Sequence, residues 1–310
     1  MKIAFLDTKT VGDLPNLKAL EEYGKVTFYP VTKPEETKGR IQNTEIIITN
    51  KVVLDRSLLE EASQLKLICI AATGMNNVDL VAAEELGIPV KNVSGYSTKS
   101  VTQCTFAMIF HLIQQLNFYD NYVKSGDYSK SDIFTNQDRS FSELAGKRFG
   151  IIGLGQIGRS VAGIAEAFGA EVVYFSTSGK NNNQPYTQLD LQELLATSDI
   201  VSIHAPLNDN TKNLIGAEEL STMKTTSILI NTGRGGIVDE SALAQAIDSD
   251  QITGAGIDVF ENEPMKYDNP LLSVSKKEKL VLTPHIAWAS VEARTELIEG
   301  VMKNIREFIA

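Results

Sequence analysis

The chain of 310 residues is long enough for two domains, and 43% hydrophobic with 22% charged residues fits a globular protein with a proper core. Its 29 basic and 39 acidic residues leave a net charge of -10, which argues against a nucleic-acid partner or an anionic membrane surface. No run of about 18 apolar residues occurs, so no membrane-spanning helix is expected, and the two cysteines lack metal-ligand spacing.

In chain order, MKIAFLDT reads as a first strand (2–6) and not as a signal peptide, so a cytoplasmic location is the default expectation. LKALEEYG (17–24) reads as a helix closed by a glycine, followed by the strand VTFYP. Pro34 opens a helix to about Ile41, EIIIT (45–49) is a strand, and Asp55 caps SLLEEASQ. KLICIAA (66–72) is a strand running into the loop Thr73-Gly74-Met75-Asn76-Asn77. VDLVAAEELG is a helix and IPVKN a short strand. Repeated strand–helix units of this size mean a parallel sheet covered on both faces. Cys69 and Cys104 lie in apolar runs and read as buried free thiols.

Residues 98–117 predict a long, mostly apolar helix, buried between two domains and carrying His111 as a packing residue. Residues 118–145 read as a polar, irregular surface excursion. A second alternating series then begins with RFGII, and EVVYF, DIVSIH, SILINT, GAGIDV and KLVLTP are its later strands. GKNNNQ (179–184) reads as a loop, and a final helix spans about 290–309 with Ser290 as N-cap.

The strand RFGII runs into Gly153-Leu154-Gly155-Gln156-Ile157-Gly158 and then into an amphipathic helix, which is the context a dinucleotide-binding turn needs. Gly153 permits the tight turn, Gly155 lets the backbone approach a pyrophosphate, and Gly158 lets helix pack on strand. Free N–H groups at the helix start, including those of Gln156 and Ile157, face the phosphates. The next strand ends at Phe175, where an acid would bind the ribose 2′-hydroxyl of NAD. This chain has Ser176-Thr177-Ser178-Gly179-Lys180 instead. Nothing there repels a 2′-phosphate, and Lys180 can serve as a point charge although the usual arginine is missing. The reading leans to NADP over NAD, with use of both left open.

Three residues each follow a different apolar run. Arg234 follows SILINT, Glu263 follows GAGIDVF after two intervening residues, and His285 follows KLVLTP. If those runs are neighbouring strands of a parallel sheet, a cation, a carboxylate and an imidazole converge beyond their carboxyl ends. Such a set can fix a carboxylate substrate and deliver a proton.

With these residues in place, the chain resembles the D-isomer-specific 2-hydroxyacid dehydrogenase family. The resemblance rests on GLGQIGRSVA (153–162), SDIVSIHAPL (198–207), LINTGRGGIVDESAL (229–243), GAGIDVFENEP (254–264) and TPHIAW (283–288), with NNVDL and NVSGYST in the first third. It implies that Arg234 binds the substrate carboxylate and keto oxygen, that His285 is the acid–base residue, and that Glu263 pairs with it, Glu261 being the weaker alternative. It implies that Asp258 holds the nicotinamide carboxamide and that His204, Ala205, Pro206, Thr211, Thr232 and Gly233 line the cofactor cleft. The loop Thr73, Gly74, Met75 would grip the substrate carboxylate through backbone N–H groups. Trp288 would either wall the substrate pocket or pack the interdomain helix.

The implied architecture is two doubly wound α/β domains, a Rossmann cofactor domain (99–289) inserted into a flavodoxin-like substrate domain (1–98 and 290–310), with a homodimer contact near 98–145. The implied activity is NAD(P)-dependent reduction of a small 2-keto acid. TPHIAW resembles the hydroxypyruvate/glyoxylate reductase (glycerate dehydrogenase) group more than the lactate group. D-lactate dehydrogenase activity stays open, as does a non-catalytic dinucleotide-sensing role for the same fold. No metal is expected.

Overall fold

The computed structural model describes residues 1–181 and 184–310, so part of the GKNNNQ loop, Asn182 and Asn183, lies outside the described residues. The chain divides into two compact units, one of Met1–Ser97 with Trp288–Ala310 and one of Thr98–Ala287.

The first unit is a five-stranded parallel sheet of β1 (Lys2–Phe5), β2 (Lys25–Phe28), β3 (Ile46–Thr49), β4 (Leu67–Ile70) and β5 (Val90–Lys91). Its strand order is β2-β1-β3-β4-β5, the flavodoxin-like order, with the direction of winding reversing between β1 and β3. The apolar runs are continuous because both faces are covered. On one face Ala4, Ile47, Ile68 and Ile70 meet α1 (Pro34–Ile41), α2 (Arg56–Glu61) and α3 (Leu80–Glu85). On the other, Ile3, Phe5, Ile46, Ile48, Leu67 and Cys69 meet the last helix of the chain. Asp55 and Asp79 cap α2 and α3 through their carboxylates.

The helix expected over 17–24 is a 3₁₀ helix, Leu17–Tyr23, with Gly24 at its C-cap. Short helices tighten readily into i→i+3 bonding.

The second unit begins with α4 (Thr98–Ile113) and α5 (Leu116–Lys124). The long helix expected over 98–117 therefore stops early, because Gln115 adopts φ 53, and a second helix occupies part of the region read as irregular. The seven-stranded parallel sheet follows, from β6 (Arg148–Ile152), β7 (Glu171–Phe175), β8 (Thr187–Gln188), β9 (Ile200–Ile203), β10 (Ile228–Asn231), β11 (Gly254–Ile257) and β12 (Leu280–Leu282). The order β12-β11-β10-β9-β6-β7-β8 is the Rossmann order with one added edge strand, and the winding reverses between β6 and β9.

Helix α4 and α6 (Gln156–Ala167) cover one face of this sheet, where Phe106, Met108, Ile109 and Leu112 pack on Phe149, Ile151, Ile228 and Ile230. The other face is covered by α7 (Leu191–Thr197), α8 (Ala217–Thr222) and α9 (Glu240–Asp248). The apolar character of α4 is thus used by the core of its own unit.

The last helix, α10 (Val291–Ile309), returns to the first unit and starts at Ser290, whose Oγ accepts the Ala293 N–H at 3.1 Å. Among the described residues no helix is long and apolar enough to cross a membrane, and no cluster of metal-ligating side chains is found.

Candidate active site

In the second unit the candidate residues all lie at the carboxyl edge of the sheet. Gly153 follows β6 with φ 91, and a Cβ there would stand 2.9 Å from the Ala205 nitrogen. The turns after β6 and β9 therefore touch at the point where the strand order reverses, which is where open sheets take their ligands. Gly158 packs its turn just as closely, with a Cβ position 2.4 Å from Gly153 O. Gly155, the N-cap of α6, is different: a Cβ there would meet no atom within 4 Å. Glycine here leaves open space above the free N–H groups of the first helical turn. That space and those donors fit a dinucleotide pyrophosphate.

Ser176 ends β7. It is 9% exposed, and its Oγ has no hydrogen-bond partner among the described residues. A buried hydroxyl without a partner costs free energy, which a ligand oxygen would recover. Thr177 is half-buried and Ser178 and Lys180 are exposed along the same loop, where Lys180 N donates to Ser178 Oγ.

After β9, His204 keeps some exposed surface, but its ring is enclosed by protein, and this burial pushes its pKa down to about 3. The neutral ring lies 2.9 Å from Ser202 Oγ and 3.3 Å from Thr232 Oγ1, and Thr232 in turn lies 3.2 Å from Thr105 Oγ1. A chain of hydroxyls thus joins α4 to the turns after β9 and β10. Thr211 gives its hydroxyl proton to Pro206 O at 2.7 Å, so toward a ligand it is an acceptor only.

The turns after β10, β11 and β12 are adjacent because those strands pair in that order. Asn231 folds the first of them, accepting from Gly233 N at 3.0 Å and donating to Arg234 O at 3.0 Å. The Arg234 guanidinium donates to Gly233 O at 2.8 Å. Gly235 presses against the next turn so tightly that a Cβ would stand 1.8 Å from Phe260 O. In that next turn Phe260 N donates to Glu263 Oε1 at 3.0 Å. The other carboxylate oxygen lies 2.7 Å from His285 Nδ1, while the backbone N–H of Glu261 donates to Glu240 instead. Glu263, and not Glu261, is the partner of the histidine.

His285 has φ 55, a left-handed backbone that a non-glycine residue adopts only where its surroundings enforce it. Asp258 does the enforcing. Its backbone carbonyl accepts His285 N at 2.8 Å. Its buried carboxylate accepts Thr283 Oγ1 at 2.5 Å and the N–H groups of Ile286 and Ala287, both at 2.9 Å. Burial raises the Asp258 pKa, and these hydrogen bonds pull it back. Asp258 thus has a loop-holding role that the sequence did not reveal; a buried acid following a GAGI strand was its only trace. Cys104 is half buried, and desolvation, aided by the charge of Asp258, pushes its thiol to about 11.

In the first unit, Thr73 closes its loop on the strand beyond it, donating to Val93 O at 3.2 Å, while Asn92 donates to Thr73 O at 2.6 Å. Among the described residues no acceptor engages the backbone N–H of Gly74, Met75 or Asn76. Trp288 stands edge-on to Tyr96 with ring centroids 6.2 Å apart, against the core under α10.

Residues 106–287 match the family model for the D-isomer specific 2-hydroxyacid dehydrogenase, NAD binding domain. The chain belongs to this family. It is 39% identical over 310 residues to a glycerate dehydrogenase of Methylorubrum extorquens, covering all of this chain and 96% of that protein. A hydroxypyruvate reductase of Blautia hydrogenotrophica is 35% identical over 318 residues, covering 100% of this chain and 97% of its own. An acyclic imino acid reductase solved with NADPH and D-Arg superposes with a TM-score of 0.88 at 31% identity, over 100% of this chain and 97% of that one. The D-lactate dehydrogenase of Aquifex aeolicus, solved with NAD and lactic acid, gives a TM-score of 0.85 at 27% identity, over 100% and 95%. Family membership makes the protein an NAD(P)-dependent oxidoreductase of 2-hydroxy acids.

Proposed function

We propose that this protein reduces a small 2-keto acid, hydroxypyruvate or glyoxylate, to the corresponding 2-hydroxy acid with His285 as proton donor. The observation that carries the reading is the 2.7 Å contact between His285 Nδ1 and Glu263 Oε2. With Nδ1–H given to the carboxylate, Nε2 is the nitrogen left to protonate the substrate oxygen. Glu263 fixes the ring's tautomer and direction. Arg234, on the neighbouring turn, stabilises the negative charge that develops on the keto oxygen. The loop Thr73, Gly74, Met75, with N–H groups at Gly74 and Met75 unpaired among the described residues, is suited to a carboxylate.

A nicotinamide cofactor held here would supply the hydride for C2. Gly153, Gly155, Gln156, Ile157 and Gly158 hold its pyrophosphate, and His204 to Pro206, Thr211, Thr232, Gly233 and Asp258 stand along its remaining length. The orphaned hydroxyl of Ser176, with Thr177, Ser178 and Lys180, supports recognition of a 2′-phosphate and a preference for NADP. A ribose 2′-hydroxyl would satisfy Ser176 as well, so NAD is the second reading.

The protein works as a cytoplasmic homodimer. Leu116, Val123, Ile133, Phe134 and Phe141 are exposed, Phe134 at 88%, in one stretch of the second unit. Exposed apolar side chains along this stretch support an association site.

The test measures loss of NADPH or NADH absorbance in parallel with hydroxypyruvate, glyoxylate and pyruvate at neutral pH. Rapid NADPH-dependent turnover of hydroxypyruvate or glyoxylate supports the full reading. A preference for NADH keeps the enzyme and removes the NADP assignment, and fastest turnover of pyruvate gives a D-lactate dehydrogenase instead. If His285→Ala keeps the parent's turnover, the proton-donor role is lost.

A further inference from the structure

Glu240 is a half-buried acid that the proposed chemistry does not use. It is the first residue of α9 and follows the N-cap Asp239, whose own carboxylate accepts Ser241 N and Ala242 N at 2.9 Å each. The helix start is therefore capped without Glu240. The Glu240 carboxylate is turned instead to the chain beyond β11. One oxygen accepts the Glu261 N–H at 2.8 Å, and the other accepts Asn269 Nδ2 at 2.6 Å. Glu261 and Asn269 bound the loop that carries Glu263, so a single carboxylate ties both of its ends to α9.

The far end of the loop is anchored in the core. Asn269 is 9% exposed, and its Oδ1 accepts Leu271 N at 2.9 Å, at the start of the 3₁₀ helix Pro270–Ser273. Leu271 and Val274 then join Leu243 and Ile247 of α9 in one buried cluster. The residues in between are different. From Glu261 to Asp268 all are exposed except Met265, which is partly buried. A loop with so little buried surface takes its path from hydrogen bonds more than from packing. Glu263 lies within it, bonded to Phe260 N at 3.0 Å on one oxygen and standing 2.7 Å from His285 Nδ1 on the other.

We propose that Glu240 is a positioning residue for the proton-donor pair: by closing the loop 261–269 it holds the Glu263 carboxylate against His285. The inference rests on the reading of His285 as proton donor and Glu263 as its partner. Glu240 acts through the loop and not on the substrate. Two donors face it, and only a carboxylate offers them two acceptor oxygens. In Glu240→Gln one of those oxygens becomes an NH₂ group. The Asn269 amide cannot turn to compensate, because its oxygen is committed to Leu271 N. The variant therefore keeps one end of the loop, and Glu240→Ala keeps neither.

The experiment measures kcat and KM for hydroxypyruvate in the parent, Glu240→Gln, Glu240→Ala, Glu263→Ala and the double variants, with cofactor affinity followed by nicotinamide fluorescence. Glu240→Ala should lower kcat by about 10- to 100-fold, as a misplaced catalytic group does, and Glu240→Gln by less. Cofactor affinity should stay at the parent value. With Glu263 already replaced by Ala, removing Glu240 should cost about twofold or less, because nothing is left for it to position. Equal fold-losses in the two backgrounds would make Glu240 merely structural and overturn the proposal, as would an unchanged kcat. If Glu240→Ala does not fold, the near-isosteric Glu240→Gln carries the same comparison. A parent-like kcat in Glu263→Ala alone would show instead that the proposed pair is wrong, so the two failures are told apart.

Discussion

Gly235→Ala adds one methyl group at the join between two turns of the site. The new Cβ would stand 1.8 Å from Phe260 O, 2.0 Å from Phe260 C and 2.6 Å from Glu261 N. All three are backbone atoms, so no side chain can swing aside. Gly235 is not in the left-handed region, and the argument therefore rests on space alone. Carbon atoms pack at about 3.5–4.0 Å, so the turns must part by roughly 1.5 Å or more. Phe260 N is the donor that holds Glu263 Oε1, and Glu263 Oε2 holds His285. Arg234 is the residue before the substitution. One methyl group thus displaces the groups proposed for proton delivery and charge stabilisation together. A misplacement of about 1 Å costs on the order of 100-fold in rate, so kcat/KM for keto acid reduction should fall by at least that much. Overpacking of this kind costs about 1–3 kcal/mol, or roughly 2–4 °C in Tm for each kcal/mol. Initial rates of reduced-nicotinamide consumption, a fluorescence titration with the cofactor and a thermal melt measure the three quantities. A variant as active as the parent would refute the reasoning, because the two turns could then separate without consequence.

Gly155→Ala is the complementary case. No protein atom lies near the added Cβ, so the melting temperature should hardly change, while KM for the cofactor should rise by about tenfold or more as the methyl group blocks the pyrophosphate. A large drop in Tm with cofactor binding intact would contradict it. Reduction through the proposed donor His285 needs a protonated ring, so the rate of the chemical step should fall as pH rises, with oxidation favoured at higher pH; a flat profile for an unmasked chemical step would remove His285 as donor. His204 gives a stability prediction. Its folded pKa of about 3 lies below the unfolded value of about 6.5, so the unfolded chain binds the extra proton first as pH falls. Stability from this group is complete above the unfolded value and is lost progressively as pH falls toward the folded one. The loss is at most about 1.4 kcal/mol per pH unit. His204→Gln should flatten that slope in denaturant titrations, and an unchanged slope would show that the ring is not shielded.

Much of the fold was legible because parallel strands covered on both faces are written as unbroken apolar runs. EIIIT, KLICIAA, RFGII and SILINT each became a strand, and Asp55, Asp79 and Ser290 each capped the helix that follows. The glycine motif was legible for a related reason, since Gly153 and Gly158 occupy positions where a side chain has no room. The break at Gln115 was not, because nothing local distinguishes a residue that will take φ 53 from one that continues α4.

The sequence alone determined the alternation of elements, the dinucleotide turn and the presence of an arginine, a glutamate and a histidine just past successive strands. Only the tertiary structure decided which acid meets His285. That choice depends on β11 and β12 pairing in register and on Gly235 lying against Phe260, contacts that join residues far apart in the chain. The same holds for Asp258 and Asp7. Each is an ordinary acid after a strand until the fold brings it the N–H groups of a turn some 28 or 43 residues away. Local propensity specifies the elements, but long-range hydrogen bonds specify where a side chain at the edge of a sheet finally stands.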